Sequence, residues 1–93
     1  MSTTETESIT LRRVSPSTAE TAEYEGEYTG IRVRVTRLTD PNADGGVPET
    51  RWDGFLWDSG HEMWTLIAEC HASRRSATLE VKRWIDRQAQ PVT

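Results

Sequence analysis

Three side chains able to bind a metal ion or act in nucleophilic chemistry occur in the second half of the chain: His61, Cys70 and His71. Imidazole and thiolate groups are preferred zinc ligands, and a histidine beside a cysteine can serve as its general base. Cys70 and His71, however, are neighbours in an extended segment, and neighbouring strand residues point to opposite faces of a sheet. The sequence offers no evident fourth ligand. We therefore predict no metal site, no cofactor and no enzymatic activity, and we expect Cys70 to be a small buried side chain.

A second candidate metal site is the acidic loop that begins at Asp40. Asp40, Asn42 and Asp44 have the spacing of the first three ligands in an EF-hand calcium loop. The twelfth position of such a loop requires a glutamate, and Arg51 occupies that position here. Residues 40–48 also contain two prolines and two glycines, which predict a plain polar hairpin loop.

Five arginines have positions suited to binding phosphate. Arg74 and Arg75 follow the predicted N-cap of a C-terminal helix, where free backbone amides also favour anions. Arg32, Arg34 and Arg51 lie on predicted strands. These residues support the alternative hypothesis of a nucleic-acid-binding protein. The net charge of −4 weighs against that hypothesis, because a general nucleic-acid binder usually carries a basic excess.

The elements that would position these residues are predicted from hydrophobic periodicity. Alternation of β-branched and polar residues over 31–36 predicts a first strand. A second strand is predicted over 51–57, a tight turn over 58–60, and a third strand from 61 to about 71. A helix follows, and its core-facing stripe is predicted to consist of Ala77, Val81, Trp84, Ile85 and Gln88.

This order predicts an α+β fold in which a three-stranded antiparallel sheet carries one C-terminal helix on one face. Residues 23–90 would form this single domain. Residues 1–22 are dominated by Ser, Thr, Glu and Ala and are predicted to be a mostly flexible arm, with a short strand at 9–11 or a short helix at 15–20 as alternatives. Residues 1–27 contain six glutamates and two arginines, which accounts for the whole net charge.

Apolar side chains occur at both parities of the second and third predicted strands, although the single helix can cover only one sheet face. Strand alternation places Phe55, Trp57, Met63 and Ile67 on the face away from the helix. An open apolar sheet face is typical of an interface. We therefore predict that these four residues contact a partner protein or a second copy in a homodimer, with coverage by the N-terminal arm as the alternative.

Two further resemblances favour nucleic acid as the binding partner. Residues 73–77, Ser-Arg-Arg-Ser-Ala ahead of a helix, resemble the start of the last helix in double-stranded RNA-binding domains. This resemblance implies phosphate contacts by Arg74 and Arg75. The unit of three strands and a helix is similar to the arm-binding domains of phage integrases, which implies DNA contacts by Arg32, Arg34 and Arg51.

The broadest resemblance covers about Trp52 to Trp84. A Trp-led strand, a glycine-containing turn, a second Trp strand and Cys-His-x-Ser before an alanine-bearing helix resemble small accessory proteins encoded by actinobacteria and their phages. This implies a phage or mobile-element origin and the binding of a host macromolecule. One cysteine and no N-terminal apolar run predict a cytoplasmic protein without a membrane segment. We interpret the chain as a non-catalytic binding module acting on a host protein, with nucleic acid as the alternative partner.

Overall fold

The computed structural model describes residues 9–41, 44–46 and 48–89. Five antiparallel strands lie side by side in one sheet, in the order in which they follow along the chain. The strands are β1 Arg12–Arg13, β2 Thr21–Tyr28, β3 Ile31–Asp40, β4 Glu49–Asp58 and β5 Met63–His71. A short 3-10 turn at Asp44–Gly46 precedes β4, and helix α1 spans Arg74–Ala89. Within these described ranges, no helix is long and apolar enough to cross a bilayer.

The α+β class and the C-terminal helix on one sheet face agree with the prediction, but the predicted count of three strands was wrong. The long strand that was missed is β2. Its glutamates at 23, 25 and 27 point to one face, and the residues that alternate with them point toward α1: Ala22, Tyr24, Gly26 and Tyr28. The pattern has a period of two, yet its inward positions lack β-branched aliphatic residues, so the search for hydrophobic alternation did not detect it.

The first described residues pack at the outer edge of the sheet. Ile9 is buried in the core, Leu11 packs against that core, and β1 pairs with β2. The helix considered at 15–20 is not formed, because the Thr18 hydroxyl accepts backbone N–H bonds that turn the chain into β2. The predicted domain boundary after residue 22 therefore falls inside β2. Residues 1–8 of the predicted arm, and Asn42 of the acidic loop, lie outside the described residues.

Helix α1 covers one face of the sheet. Ala77, Val81 and Ile85 are buried against β3, β4 and β5, as the predicted stripe requires, whereas Gln88 at its end is exposed. Trp84 packs at the margin of this core. The buried apolar residues are Ile9, Ala22, Val33, Val35, Leu56, Ala68, Ala77, Val81 and Ile85.

Polar contacts fasten the second half of α1 to β2. The Tyr28 hydroxyl donates to Asp86 Oδ1 at 2.7 Å, and Lys82 Nζ donates to Asp86 Oδ2 at 3.0 Å. The hydrogen bond from Tyr28, followed by that from Lys82, holds the pKa of the Asp86 carboxyl below its ordinary value. The charged carboxylate is thus the form that the fold stabilises.

Two irregularities in the pairing of β4 with β5 determine which side chains face α1. The register shifts by one residue at Ile67 and again near Cys70. Before the first bulge, Trp64 and Leu66 point away from the helix, whereas beyond it Ala68 points toward the helix and is fully buried. The bulges therefore reverse the simple alternation that the sequence predicts for this strand.

Candidate functional site

The sheet face opposite α1, which we call the open face, carries an unusual mixture of side chains. No described helix or strand covers it. Strand β2 contributes glutamates, β3 contributes Arg32 and Arg34, and β4 and β5 contribute apolar groups. Directly paired positions place these apolar groups on one surface with the arginines: Phe55 and Trp57 from β4, and Trp64 and Leu66 from β5.

Arg32, Arg34, Trp57 and Trp64 form the arginine–tryptophan cluster of the open face. The Arg32 guanidinium lies 5.4 Å from the Trp57 ring centre and 5.1 Å from that of Trp64. The Arg34 guanidinium lies 4.5 Å from the Trp64 ring centre. The two indole rings meet edge to face, with centres 5.3 Å apart. Cation–π contacts of this kind contribute about 0.5–1 kcal/mol each at exposed sites, so the cluster is held in one arrangement before any ligand binds.

Glu25 joins the two arginines of this cluster. It accepts hydrogen bonds from Arg32 Nη2 at 3.2 Å and from Arg34 Nε at 2.9 Å, and Arg34 Nη2 also contacts it. Partial burial raises the pKa of Glu25, but the hydrogen bonds and charges of Arg34 and Arg32 outweigh burial and hold that pKa below its ordinary value. The carboxylate is therefore ionised at neutral pH and offsets part of the cluster's positive charge.

Replacing Glu25 with glutamine should lower the free energy of unfolding by about 1 kcal/mol at neutral pH, because two guanidinium groups lose their shared carboxylate. The folded-state pKa is depressed, so this stabilisation is present above the unfolded-state pKa and is lost as pH falls through the folded-state value. Urea unfolding should show the difference from wild type closing as pH falls below 4.5.

Glu27→Gln is the matched control for Glu25→Gln, because Glu27 lies exposed on the same strand. It should leave the unfolding free energy close to that of wild type across this pH range. A Glu25→Gln difference that persisted undiminished at about pH 3 would contradict the assignment of the stabilisation to an ionised carboxylate.

Only two of the four residues predicted for an apolar interface lie on the open face. Phe55 and Trp57 do so. Met63 pairs with Asp58 next to the turn between β4 and β5, on the side opposite to Trp57 and Trp64. Ile67 packs against the core. The cause is the bulge at Ile67, which reverses the alternation along β5. Trp64 and Leu66, which simple alternation assigned to the helix side, take their place. Nothing in the composition of residues 66–68 signals this bulge.

The five arginines predicted to bind phosphate do not form one surface. Arg32 and Arg34 lie in the arginine–tryptophan cluster, and Arg51 Nε lies 3.5 Å from the buried carboxylate of Asp53. The Arg74 guanidinium stacks 4.7 Å from the Tyr24 ring centre on the helix side of the sheet. Arg75 is exposed beside it at the start of α1. The structure therefore divides these residues between the two faces.

The expectation that Cys70 is buried was wrong, because this residue is exposed. It lies at the second bulge with a positive φ of 61°, and its N–H donates to Asp53 Oδ1 at 2.9 Å. The bulge turns the Cys70 side chain away from the core. Among the residues that the structure describes, no group of three or more His, Cys, Asp and Glu side chains is placed to hold a metal ion.

The two histidines belong to separate contacts. His61 Nδ1 lies 2.8 Å from Asp58 Oδ2 within the turn between β4 and β5. His71 Nδ1 lies 2.5 Å from Ser76 Oγ, and His71 Nε2 contacts the Glu80 carboxylate. A hydroxyl, an imidazole and a carboxylate in series also occur in nucleophilic catalysis. Here they connect the end of β5 to the first two turns of α1, and we interpret them as a structural link.

His71→Ala should lower the free energy of unfolding by about 1–2 kcal/mol, because it removes both hydrogen bonds of this link and leaves the part-buried Ser76 hydroxyl without its imidazole partner. Thermal and urea unfolding would measure the loss. His61→Ala is the matched control, since His61 is exposed in a turn, and it should leave the melting temperature unchanged. Equal effects of the two substitutions would contradict the proposed link.

An open groove of about 610 Å³ lies near the bulged end of β5, lined by residues 38–40, 49–51 and 70–72. Several polar side chains of its walls already have partners within the protein. Arg51 contacts Asp53 and Cys70 Sγ, and both ring nitrogens of His71 have partners on α1. The arginine–tryptophan cluster is therefore the more distinctive surface.

Comparison of the chain with known protein families, curated proteins and solved structures finds no match.

Proposed function

We propose that the chain is a non-catalytic binding module whose open face engages a partner protein. The observation that carries the proposal is the arginine–tryptophan cluster, which lies next to Phe55 and Leu66 on a sheet face left uncovered by the described elements. Trp and Arg are enriched among the residues that dominate protein–protein binding energy. A cluster already ordered by internal contacts loses little conformational entropy when a partner binds.

The size of the open face supports the same proposal. Four long strands about 4.8 Å apart, with eight or more residues at about 3.4 Å each, span roughly 500 Å² in projection. A standard protein–protein interface buries about 800 Å² of accessible surface on each partner, which is of the same order. The exposed side chain of Leu66, at 45%, is an apolar group that a partner would cover.

The charge of the open face favours a protein over nucleic acid. Three glutamates on β2 lie beside the two arginines of β3, and Glu25 is paired directly with both. Phosphate backbones are bound by surfaces with a clear basic excess, which this face lacks. Recognition of a protein needs no such excess, because an interface of this kind combines an apolar centre with a polar rim. The sequence resemblance to phage accessory proteins is what supports a host-cell protein as that partner.

Capture from a host lysate, with and without nuclease treatment, tests the proposal. We expect the tagged chain to retain one protein in near-stoichiometric amount after DNA and RNA have been digested. Capture that disappears on nuclease treatment, together with direct binding of the purified chain to duplex DNA or RNA at low salt, would overturn the proposal in favour of the nucleic-acid alternative.

A further inference from the structure

The two edges of the sheet are protected very differently. At one edge β1 covers part of β2 and presents two arginines, Arg12 and Arg13. At the other edge lies β5, nine residues long, with no neighbour among the described strands. Charged residues and very short strands are common means of preventing edge-to-edge pairing, and β1 uses both.

The first part of β5 lacks these protective features. Residues 63–67 contain no charged residue and no proline. The first bulge is at the last of these residues, Ile67, and the second lies beyond them. Met63 and Leu66 are 54% and 45% exposed, so apolar surface accompanies the unpaired backbone groups. The bulge at Ile67 and the second bulge near Cys70 break the regular edge after Ile67. Pairing with another strand is thus confined to residues 63–67.

We propose that β5 pairs with β5 of a second copy of this chain, antiparallel and about a two-fold axis that passes next to Thr65. In an antiparallel pair, two residues directly opposite each other have side chains on the same face of the sheet. A two-fold axis between neighbouring residues would pair side chains of opposite faces, so the axis must pass beside a single residue that faces its own copy. An axis at Thr65 pairs the whole of 63–67, whereas an axis at Trp64 or Leu66 extends the pairing into the turn or past the bulge. The uncharged segment then meets its own copy without like-charge repulsion.

This arrangement places Trp64 of each copy opposite Leu66 of the other on the open face. Cross-strand pairs of an aromatic and an aliphatic residue are favourable. A two-fold axis perpendicular to the sheet also keeps both open faces on the same side, so two arginine–tryptophan clusters would share one ten-stranded surface. The inference rests on the β5 edge alone and does not require the protein partner proposed above.

Introducing a charge at the axis tests the pairing. Sedimentation over roughly 10 μM to 1 mM should show the wild type associating into dimers, since a pairing of five residues belongs to the weak class of interfaces. Thr65→Lys and Thr65→Glu each bring two like charges opposite each other and should weaken dimerisation by about tenfold or more. An equimolar mixture of the two variants should restore it. Thr10→Lys, exposed near the opposite edge, is the matched control and should dimerise like wild type.

Disulfide cross-linking provides a second measurement if a charged variant is poorly folded. Thr65→Cys in a Cys70→Ser background places two thiols opposite each other across the axis, at about the separation that a disulfide needs. Mild oxidation should link these chains far faster than it links Thr10→Cys in the same background. A wild type that is monomeric at about 1 mM, or equal cross-linking at residues 10 and 65, would overturn the proposal.

Discussion

Replacing Gly54 with valine is expected to prevent the protein from folding. Gly54 is buried in β4 directly beneath α1, and a Cβ at this position would lie 2.5 Å from Val81 Cγ2. The Ala77 carbonyl oxygen and the Ala68 Cβ would each lie 3.3 Å away. At Gly54, helix α1 thus contacts the backbone of β4 and leaves no room for a side chain. Removing the steric clash would require α1 to move away from the sheet.

Overpacking a well-packed core costs about 1–3 kcal/mol for modest insertions, and valine adds three carbons where even one does not fit. A domain of this length has a total stability of about 5–14 kcal/mol, so the substitution removes much or all of it. Circular dichroism and urea unfolding would measure the loss. Gly60→Ala is the control, because Gly60 is exposed in the turn and a Cβ there meets only Asp58 Oδ1 at 3.3 Å. A Gly54→Val protein with the wild-type melting temperature would contradict the observed packing of α1 on β4.

The double substitution Trp57→Ala with Trp64→Ala is expected to abolish binding of the partner protein. Truncation of an aromatic anchor at an interface commonly costs 2 kcal/mol or more, which is about thirtyfold in Kd for each anchor. The loss of affinity should be larger still, because these indoles also hold the Arg32 and Arg34 side chains in place. Titration of purified partner against each protein would measure the change.

The control for this double variant is Leu79→Ala, which shortens an apolar side chain that is 40% exposed on α1, away from the sheet. It should bind the partner as tightly as wild type. Both proteins must keep the far-UV circular dichroism of the native sheet, because Trp57 and Trp64 are partly buried. A folded Trp57→Ala, Trp64→Ala protein with undiminished affinity would show that the partner uses another surface.

The elements that hydrophobic periodicity predicted correctly are those whose buried positions carry aliphatic side chains. In β3, Val33 and Val35 alternate with arginines, and in α1, Ala77, Val81 and Ile85 recur at helical spacing. Strand β2 escaped detection because its inward side chains are small or aromatic and are stabilised by contacts distant in sequence. Tyr28, for example, bonds to Asp86, which lies 58 residues further along the chain.

The composition of the open face depended on backbone features that residue types do not reveal. Phe55 and Trp57 could be assigned to it from alternation along β4, which is regular through those positions. Trp64 and Leu66 could not, because the bulge at Ile67 reverses the parity of β5. The arginines of β3 were correctly placed on a strand, but their stacking on indole rings depends on the register between β4 and β5, which brings Trp57 opposite Trp64.

The four tryptophans provide the most direct test of the claim that the open face binds a protein partner. Trp57 and Trp64 lie on the open face, whereas Trp52 of β4 and Trp84 of α1 pack at the margin of the core on the other side of the sheet. In a ¹⁵N-labelled sample, each indole N–H gives a separate resonance whose shift reports a change in its surroundings. On titration with the captured partner, the resonances of Trp57 and Trp64 should move or broaden while those of Trp52 and Trp84 stay in place. Shifts confined to Trp52 and Trp84, with Trp57 and Trp64 unchanged, would contradict the account.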